Sequence, residues 1–259
     1  MERRKPDNEI PIGVSSCLLG DNVRYDGGNK RDRYLVERLG KWFRWIPVCP
    51  EVEYGLPVPR ETMRLEGDPS KPRLVTVRTR VDHTEAMKTW AERRLDELEG
   101  EDICGYIFKS GSPSSGMRAV RVFNEEGRVV GKGVGIFAAA FMKRFPLIPV
   151  EEELGLADPR LRESFIERVS VFSRWKEMER GGGGIGDLLS FHEEHKMLVQ
   201  SRGTGHLDEM KRILSDAGKR RIEELREEYF LLLMDALLLP AACRENGKVP
   251  RYMEGCLER

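Results

Sequence analysis

The segment ICGYIFKSGSPSSG, residues 103–116, runs a short apolar stretch straight into a turn built of glycine, proline and serine. An apolar run of that length bounded by turn residues reads as a buried strand. Two similar junctions lie upstream. IPIGVSSCLLG, residues 10–20, is an apolar run ending in small residues, and WIPVCPEVEYGL, residues 45–56, is a second one broken by prolines. Between and after them come helical patterns: YLVERLGKWF (34–43), HTEAMKTWAERRLDELEG (83–100) and GIFAAAFMKRFP (135–146), with RLVTVRTRV (73–81) alternating as a further strand. Strands alternating with helices predict an α/β fold, a Rossmann-like parallel sheet flanked by helices. Ligands of such sheets sit beyond the carboxyl ends of the strands, so the turns after Val14, Val48 and Phe108 are expected to converge on one crevice.

Composition changes near residue 150. From VEEELGLADPRLRESFIERVSVFSRWKEM (150–178) onward the pattern is long, charged and helical, interrupted by the freely bending RGGGG at 180–184. Two domains are predicted, an α/β domain over 1–148 and a smaller all-α domain over 149–259. The 259 residues carry 44 Lys+Arg and 44 Asp+Glu, so there is no global field to attract nucleic acid and an RNA partner needs a local basic patch. No apolar run approaches the length of a bilayer span, and MERRKPDNEIPIG lacks the apolar core of a secretion signal, which predicts a cytoplasmic protein with no membrane partner. The five cysteines are odd in number and scattered, unlike a disulfide framework. Cys104, on an apolar strand, and Cys243 and Cys256 near the C-terminus read as structural thiols.

Cys17 ends a buried strand behind Ser15 and Ser16. Cys49 sits between prolines that fix the backbone, two positions before Glu51. On local grounds each cysteine is equally a ligand or a core thiol. Taken together, IGVSSCLLGDNVRYDGGNKRD, PVCPEVEYGLPVPRETMRL, DHTEAM and KSGSPSSGM, over residues 12–150, resemble the thiouracil desulfidase family. PVEEELGLADPRLRESFIERV and FHEEHK resemble the helical domain fused to it in longer members, which are similar to tRNA 4-thiouridine desulfidases. The chain stops at YMEGCLER where those longer relatives continue, so the helical domain is expected to be abbreviated.

The resemblance implies a [4Fe-4S] cluster on three cysteines, which fall here at Cys17, Cys49 and position 115. Position 115 is Ser115. A neutral hydroxyl is a far poorer donor to iron than a thiolate, so cluster binding is expected to be weakened and this form to be inactive. Either the serine has been substituted into a cysteine position or the chain is a natural variant with changed metal chemistry; the intact neighbouring motif favours substitution. The implied reaction is hydrolytic C–S cleavage that turns 4-thiouridine in tRNA, or thiouracil, into uridine or uracil with release of sulfide. Glu51 takes the role of general base or acid and Ser112 that of a hydrogen-bonding group to the pyrimidine. Ser16, Arg24, Asp26, Lys30, Lys109 and Ser114 are the expected substrate-binding residues, with Gly27 and Gly28 permitting a tight loop. Asn29 stands where the family pattern has histidine. His192 and His195 lack the spacing and third ligand of a zinc site and read as packing or RNA contacts. Lys196, Arg202, Lys211, Arg212, Lys219, Arg220 and Arg221 are candidates for a phosphate-contacting face, against an ordinary solvated surface laced with glutamate. The alternative function on the same scaffold is a non-catalytic RNA-binding protein or a metal-free hydrolase.

Overall fold

Four parallel strands carry the N-terminal half, and their order explains where a ligand can sit. The structure is a computed structural model and describes residues 9–239; Cys243 and Cys256 lie outside them. Strand β1 (Ile10–Ser15) leads into a single turn of 3-10 helix at Ser16–Leu18, then a loop and the short helix α1 (Arg33–Glu37). Strand β2 (Phe43–Val48) follows, and Cys49 caps helix α2 (Pro50–Glu53). The helix predicted over 34–43 therefore stops early: a second 3-10 turn at Leu39–Lys41 reverses the chain, and Phe43 opens the strand. Strands β3 (Met63–Glu66) and β4 (Arg73–Thr76), helix α3 (Thr84–Gly100), strands β5 (Gly105–Phe108), β6 (Val120–Phe123) and β7 (Val129–Gly133), helix α4 (Ile136–Arg144) and strand β8 (Val150–Glu152) complete this half.

The main sheet has the order β2-β1-β5-β8 and is parallel throughout. The chain moves from β1 to β2 on one side and to β5 on the other, so the direction of winding reverses between β1 and β5, and a crevice opens there at the carboxyl ends. Gly13 on β1 stands opposite Tyr106 on β5, and the Tyr106 ring covers it: a Cβ at residue 13 would meet that ring at 2.3 Å. Tyr106 and Phe108 in turn pack on Phe137 and Phe141 of α4, with Tyr106 and Phe108 ring centroids 4.2 Å apart. Met87, Trp90, Leu95 and Leu98 of α3 join the same core.

A second sheet, order β4-β3-β6-β7, lies outside the alternating pattern read from the sequence. The run 73–81 belongs to it, and only Arg73–Thr76 is strand, because the chain turns back through Arg80, whose φ is 60°. Glu66 is buried in this sheet between Arg64 and Arg80, and those guanidiniums hold its carboxyl below the usual range against the cost of burial. A second correction concerns the domain boundary. Val150–Glu152 pairs in parallel with β5, and the chain divides into two compact units between Pro159 and Arg160, so residues 149–159 go with the sheet. Three consecutive glutamates look like a solvated helix face, yet Glu151 and Glu152 are buried and bonded.

The second unit contains helices α5 (Pro159–Arg180), α6 (Ile185–Gln200), α7 (Thr204–Ser215) and α8 (Ile222–Leu238). Trp175 stacks on Phe230 at 4.6 Å and on Tyr229 at 5.9 Å in its core. His192 and His195 are packing residues: Nδ1 of His192 meets the Tyr229 hydroxyl at 3.0 Å, and His195 Nδ1 donates to the Phe191 carbonyl at 2.8 Å. Burial lowers the pKa of both from 6.5. Glu193, Lys196 and Lys211 act on His192, and Glu194 and Arg174 on His195. Arg202, expected on a phosphate-contacting face, is instead buried against Glu167 and the Leu239 carbonyl.

The lowered imidazole pKa values carry a stability consequence with a definite sign. The unfolded chain takes up protons at these histidines first, so their contribution is complete above about pH 6.5 and is lost as pH falls from there toward the folded values. Urea unfolding of the wild type and of His195→Gln at pH 7.5 and pH 5.5 is expected to show the larger acid loss in the wild type. Equal losses would remove the histidine from this account.

Candidate functional site

The three turns expected to converge do so. A cavity of about 410 Å³ lies at the carboxyl ends of β1, β2 and β5, and Cys17, Cys49 and Ser115 all line it. Its size suits a small molecule. Cys17 lies in the 3-10 turn, where its carbonyl accepts the Lys30 N–H at 2.9 Å and so ties the 21–32 loop over it. Cys49 is held from below: Glu53 accepts its N–H at 2.8 Å and ion-pairs with Arg94 of α3 at 2.9 Å.

The serine turn is anchored on α4. Ser114 presents its carbonyl to the N–H groups of Phe137 at 2.9 Å and Ala138 at 3.2 Å, donors a helix start leaves without internal partners. Gly135 makes this approach possible, since a Cβ there would lie 2.5 Å from the Ser114 carbonyl carbon and oxygen. Gly116 is likewise needed: a Cβ would meet Val120 at 2.4 Å and the Ser112 oxygen at 2.8 Å. From the other side the end of β8 and the residue after it grip the turn's flanks. Glu152 accepts the Met117 N–H at 2.9 Å, and Glu153 accepts the Ser110 N–H at 2.7 Å and pairs with Lys109.

Ser112, Ser114 and Glu51 form a hydroxyl–carboxylate chain. Ser114 Oγ lies 2.5 Å from Glu51 Oε1 and 3.0 Å from Ser112 Oγ, which also accepts the Ser115 N–H at 3.1 Å. The second Glu51 oxygen faces Cys49 Sγ at 3.6 Å and Arg60 at 3.8 Å. Burial pushes the Cys17 thiol up to about 11, with Lys109 pulling it back and Glu51 adding to the rise. Cys49 is pushed up to about 12 by burial and the adjacent Glu51 carboxylate. Both are protonated at neutral pH without a ligand, and a metal that takes them must displace those protons.

Most expected substrate-binding residues reach the cavity wall: Ser16, Arg24, Lys30 and Lys109 line it, as do Glu51 and Ser112. Asp26 does not. It is exposed, accepts the Gly28 N–H at 3.1 Å and pairs with Arg24 at 3.4 Å, so it shapes its own loop. Ser114 also misses the wall, being fully buried behind it. Lys109 lines the cavity with its ammonium held by Glu153 and by Ser110 at 2.9 Å. The sequence reading missed Arg60, a half-buried residue whose side chain is largely covered, which lines the cavity and donates to the Val23 carbonyl at 2.9 Å. Its signal is the proline-bracketed PVPR at 57–60.

An iron–sulfur cluster held by three protein ligands calls for thiolate donors. Two thiols and one hydroxyl share the cavity, and among the described residues no group of three His, Cys, Asp or Glu side chains is arranged to hold a metal ion. The buried Ser16 hydroxyl, beside Cys17, has no hydrogen-bond partner. A buried polar atom left so costs about 1–3 kcal/mol and points to a partner supplied from the cavity. By donor chemistry the thiols of Cys17 and Cys49 suit iron, and the Ser115 hydroxyl on the same wall is a weaker oxygen donor.

The sequence pattern of the 2-thiouracil desulfurases matches residues 12–153, a span that includes every residue of this cavity wall. The chain belongs to the 2-thiouracil desulfurase family. A solved structure described as "[4Fe-4S]-dependent thiouracil desulfidase TudS" is 34% identical to this chain, covering 58% of this chain and 95% of its own, with a TM-score of 0.45. No curated protein matches the chain. The helical unit lies outside the span matched by the family.

Because Gly135 sets the serine turn on α4, Gly135→Ala is expected to lower stability by about 1–3 kcal/mol, the usual cost of overpacking. Gly100→Ala is the control, since a Cβ at Gly100 meets nothing within 4 Å. Urea midpoints measure both; a neutral Gly135→Ala would contradict the close approach.

Proposed function

We propose that this family member is a hydrolytic desulfidase for thiolated uracil, as the free base or as 4-thiouridine in tRNA. The observation that carries the reading is the meeting of Cys17, Cys49, Ser115, Glu51 and Ser112, directly or through Ser114, at one crevice of the parallel sheet. The overall change exchanges C=S for C=O: water supplies the oxygen, sulfur leaves as hydrogen sulfide, and no net electron is transferred. Cys17, Cys49 and Ser115 would hold the [4Fe-4S] cluster, which when bound supplies a Lewis-acidic iron suited to soft sulfur. Ser115 is the weak point of that set, because an alcohol oxygen is a poor donor to iron.

The remaining roles belong to the protein. Glu51 lines the cavity with its carboxylate fixed on one side by Ser114, and it accepts the proton of the attacking water. Ser112 lines the wall against which the pyrimidine ring rests. Arg24 and Lys30 orient the substrate at the loop that covers Cys17, and Arg60 keeps Glu51 directed into the cavity.

The tRNA form of the substrate finds less support in the helical unit. Besides the buried Arg202, Lys211 pairs with Asp208 at 3.5 Å, Lys219 with Asp216 at 3.1 Å, Arg220 with Glu228 at 2.6 Å and Arg221 with Glu223 at 3.5 Å. Lys196 and Arg212 pair with Glu193 and Glu209. Surface pairs of this kind are weak and exchange with other anions, so RNA affinity from this face is expected to be modest and salt-sensitive.

Anaerobic reconstitution of the wild type and of Ser115→Cys tests the reading. Ser115→Cys is expected to turn brown and release sulfide from 2-thiouracil or thiolated tRNA, and the wild type to take up less iron. Colourless protein and no sulfide in both forms would favour the non-catalytic or metal-free alternative. A salt-dependent tRNA titration of the full chain separates the substrates: no binding at low salt restricts the reaction to the free base or nucleotide.

A further inference from the structure

Ser114 is an expected substrate contact that the fold buries behind the cavity wall. It is fully buried, and its hydroxyl meets Glu51 Oε1 at 2.5 Å and Ser112 Oγ at 3.0 Å. The direction of these bonds follows from valence. An ionised carboxylate has no hydrogen to give, so Ser114 donates to Glu51. A hydroxyl carries a single hydrogen, so Ser114 must accept from Ser112. The Ser112 oxygen meanwhile accepts backbone N–H groups from Ser114 at 3.3 Å and Ser115 at 3.1 Å. The chain is therefore polarised from Ser112 through Ser114 to Glu51.

The middle member is also the most firmly placed. Its carbonyl is bonded to two amides at the start of α4, and the bare Cα of Gly135 packs against it. The other contacts of the Glu51 carboxylate, to Cys49 and Arg60, are 3.6 and 3.8 Å long, so Ser114 provides its short bond. We propose that Ser114 is a positioning residue of the desulfidase, holding the Glu51 carboxylate and directing the Ser112 hydroxyl without touching substrate. This rests on the roles given above to Glu51 and Ser112.

The test uses the full chain with cysteine at 115, reconstituted anaerobically, with and without Ser114→Ala, and 2-thiouracil as substrate. Ser114→Ala is expected to lower kcat on the order of 100-fold, the scale of a misplaced catalytic group, with KM and iron content within about two-fold of the parent. In a Glu51→Gln background the same change is expected to add nothing, as for residues acting as one unit. A raised KM with unchanged kcat, or additive effects, would overturn the proposal. Ser114→Cys, with its weak donor, replaces the alanine variant if that fails to fold. If the parent has no turnover, the functional reading fails by itself. A crystal structure of Ser114→Ala with Ser115 retained then decides: a displaced Glu51 carboxylate supports the positioning role, and an unmoved one refutes it.

Discussion

The site depends on the contact between the Ser114 carbonyl and the first amides of α4. Helix starts present N–H groups that need acceptors, and here a turn of another element supplies one. The contact demands that two backbones approach without side chains between them, which is why residue 135 is glycine, while Gly116 serves the turn's own close packing against Ser112 and Val120. Once it forms, residues 112–115 have little freedom, and their hydroxyls and amides meet Glu51 from β2's end and the crevice between β1 and β5. Placing a residue at 115 beside two cysteines from other strands is a result of backbone packing, accomplished before any ligand enters.

Electrostatics then set the condition of the ligand-free site. Two thiols are buried beside a carboxylate, and both burial and the Glu51 charge oppose their ionisation. Lys109 moderates this for Cys17, and Arg60 for Cys49, each at a distance. The protein alone does not supply the positive charge that would stabilise two thiolates, so a metal that takes these sulfurs must displace their protons.

Strands β1 and β5 of the main sheet were legible because they are largely buried and read as short apolar runs, each ending in an unusual turn, and β2, though it alternates buried with exposed residues, ends in the same way. The second sheet was not legible. Its strands Met63–Glu66 and Val120–Phe123 are four residues long and carry arginine in alternation, so they read as charged connectors. The run Glu151–Glu153 misled in the opposite sense. Carboxylates that accept from buried backbone amides cannot be told from solvated ones by composition, and these moved the boundary from 148 to 159. The cysteines and Glu51 were found by motif, whereas the burial of Ser114 and the role of Gly135 depend on α4, which lies 20 residues beyond the turn in sequence terms and carries no polar signal of its own.

The same distinction bears on the helical unit. Seven cations over residues 196–221 suggest a basic face when counted, but a count ignores their neighbours. Four of them, Lys196, Lys211, Arg212 and Lys219, have a carboxylate three residues earlier on the chain, the spacing at which side chains meet on a helix. Arg202 is turned inward to neutralise the buried Glu167. A surface composed in this way has little net field, and its charges act in pairs. Position 115 presents the converse case, in which local surroundings leave the fold indifferent to identity. Serine and cysteine are close in size, residue 115 is held by its N–H to Ser112, and the α4 contact is made by its neighbour. Exchanging the hydroxyl for a thiol there leaves these backbone bonds available and alters the donor atom offered to the cavity.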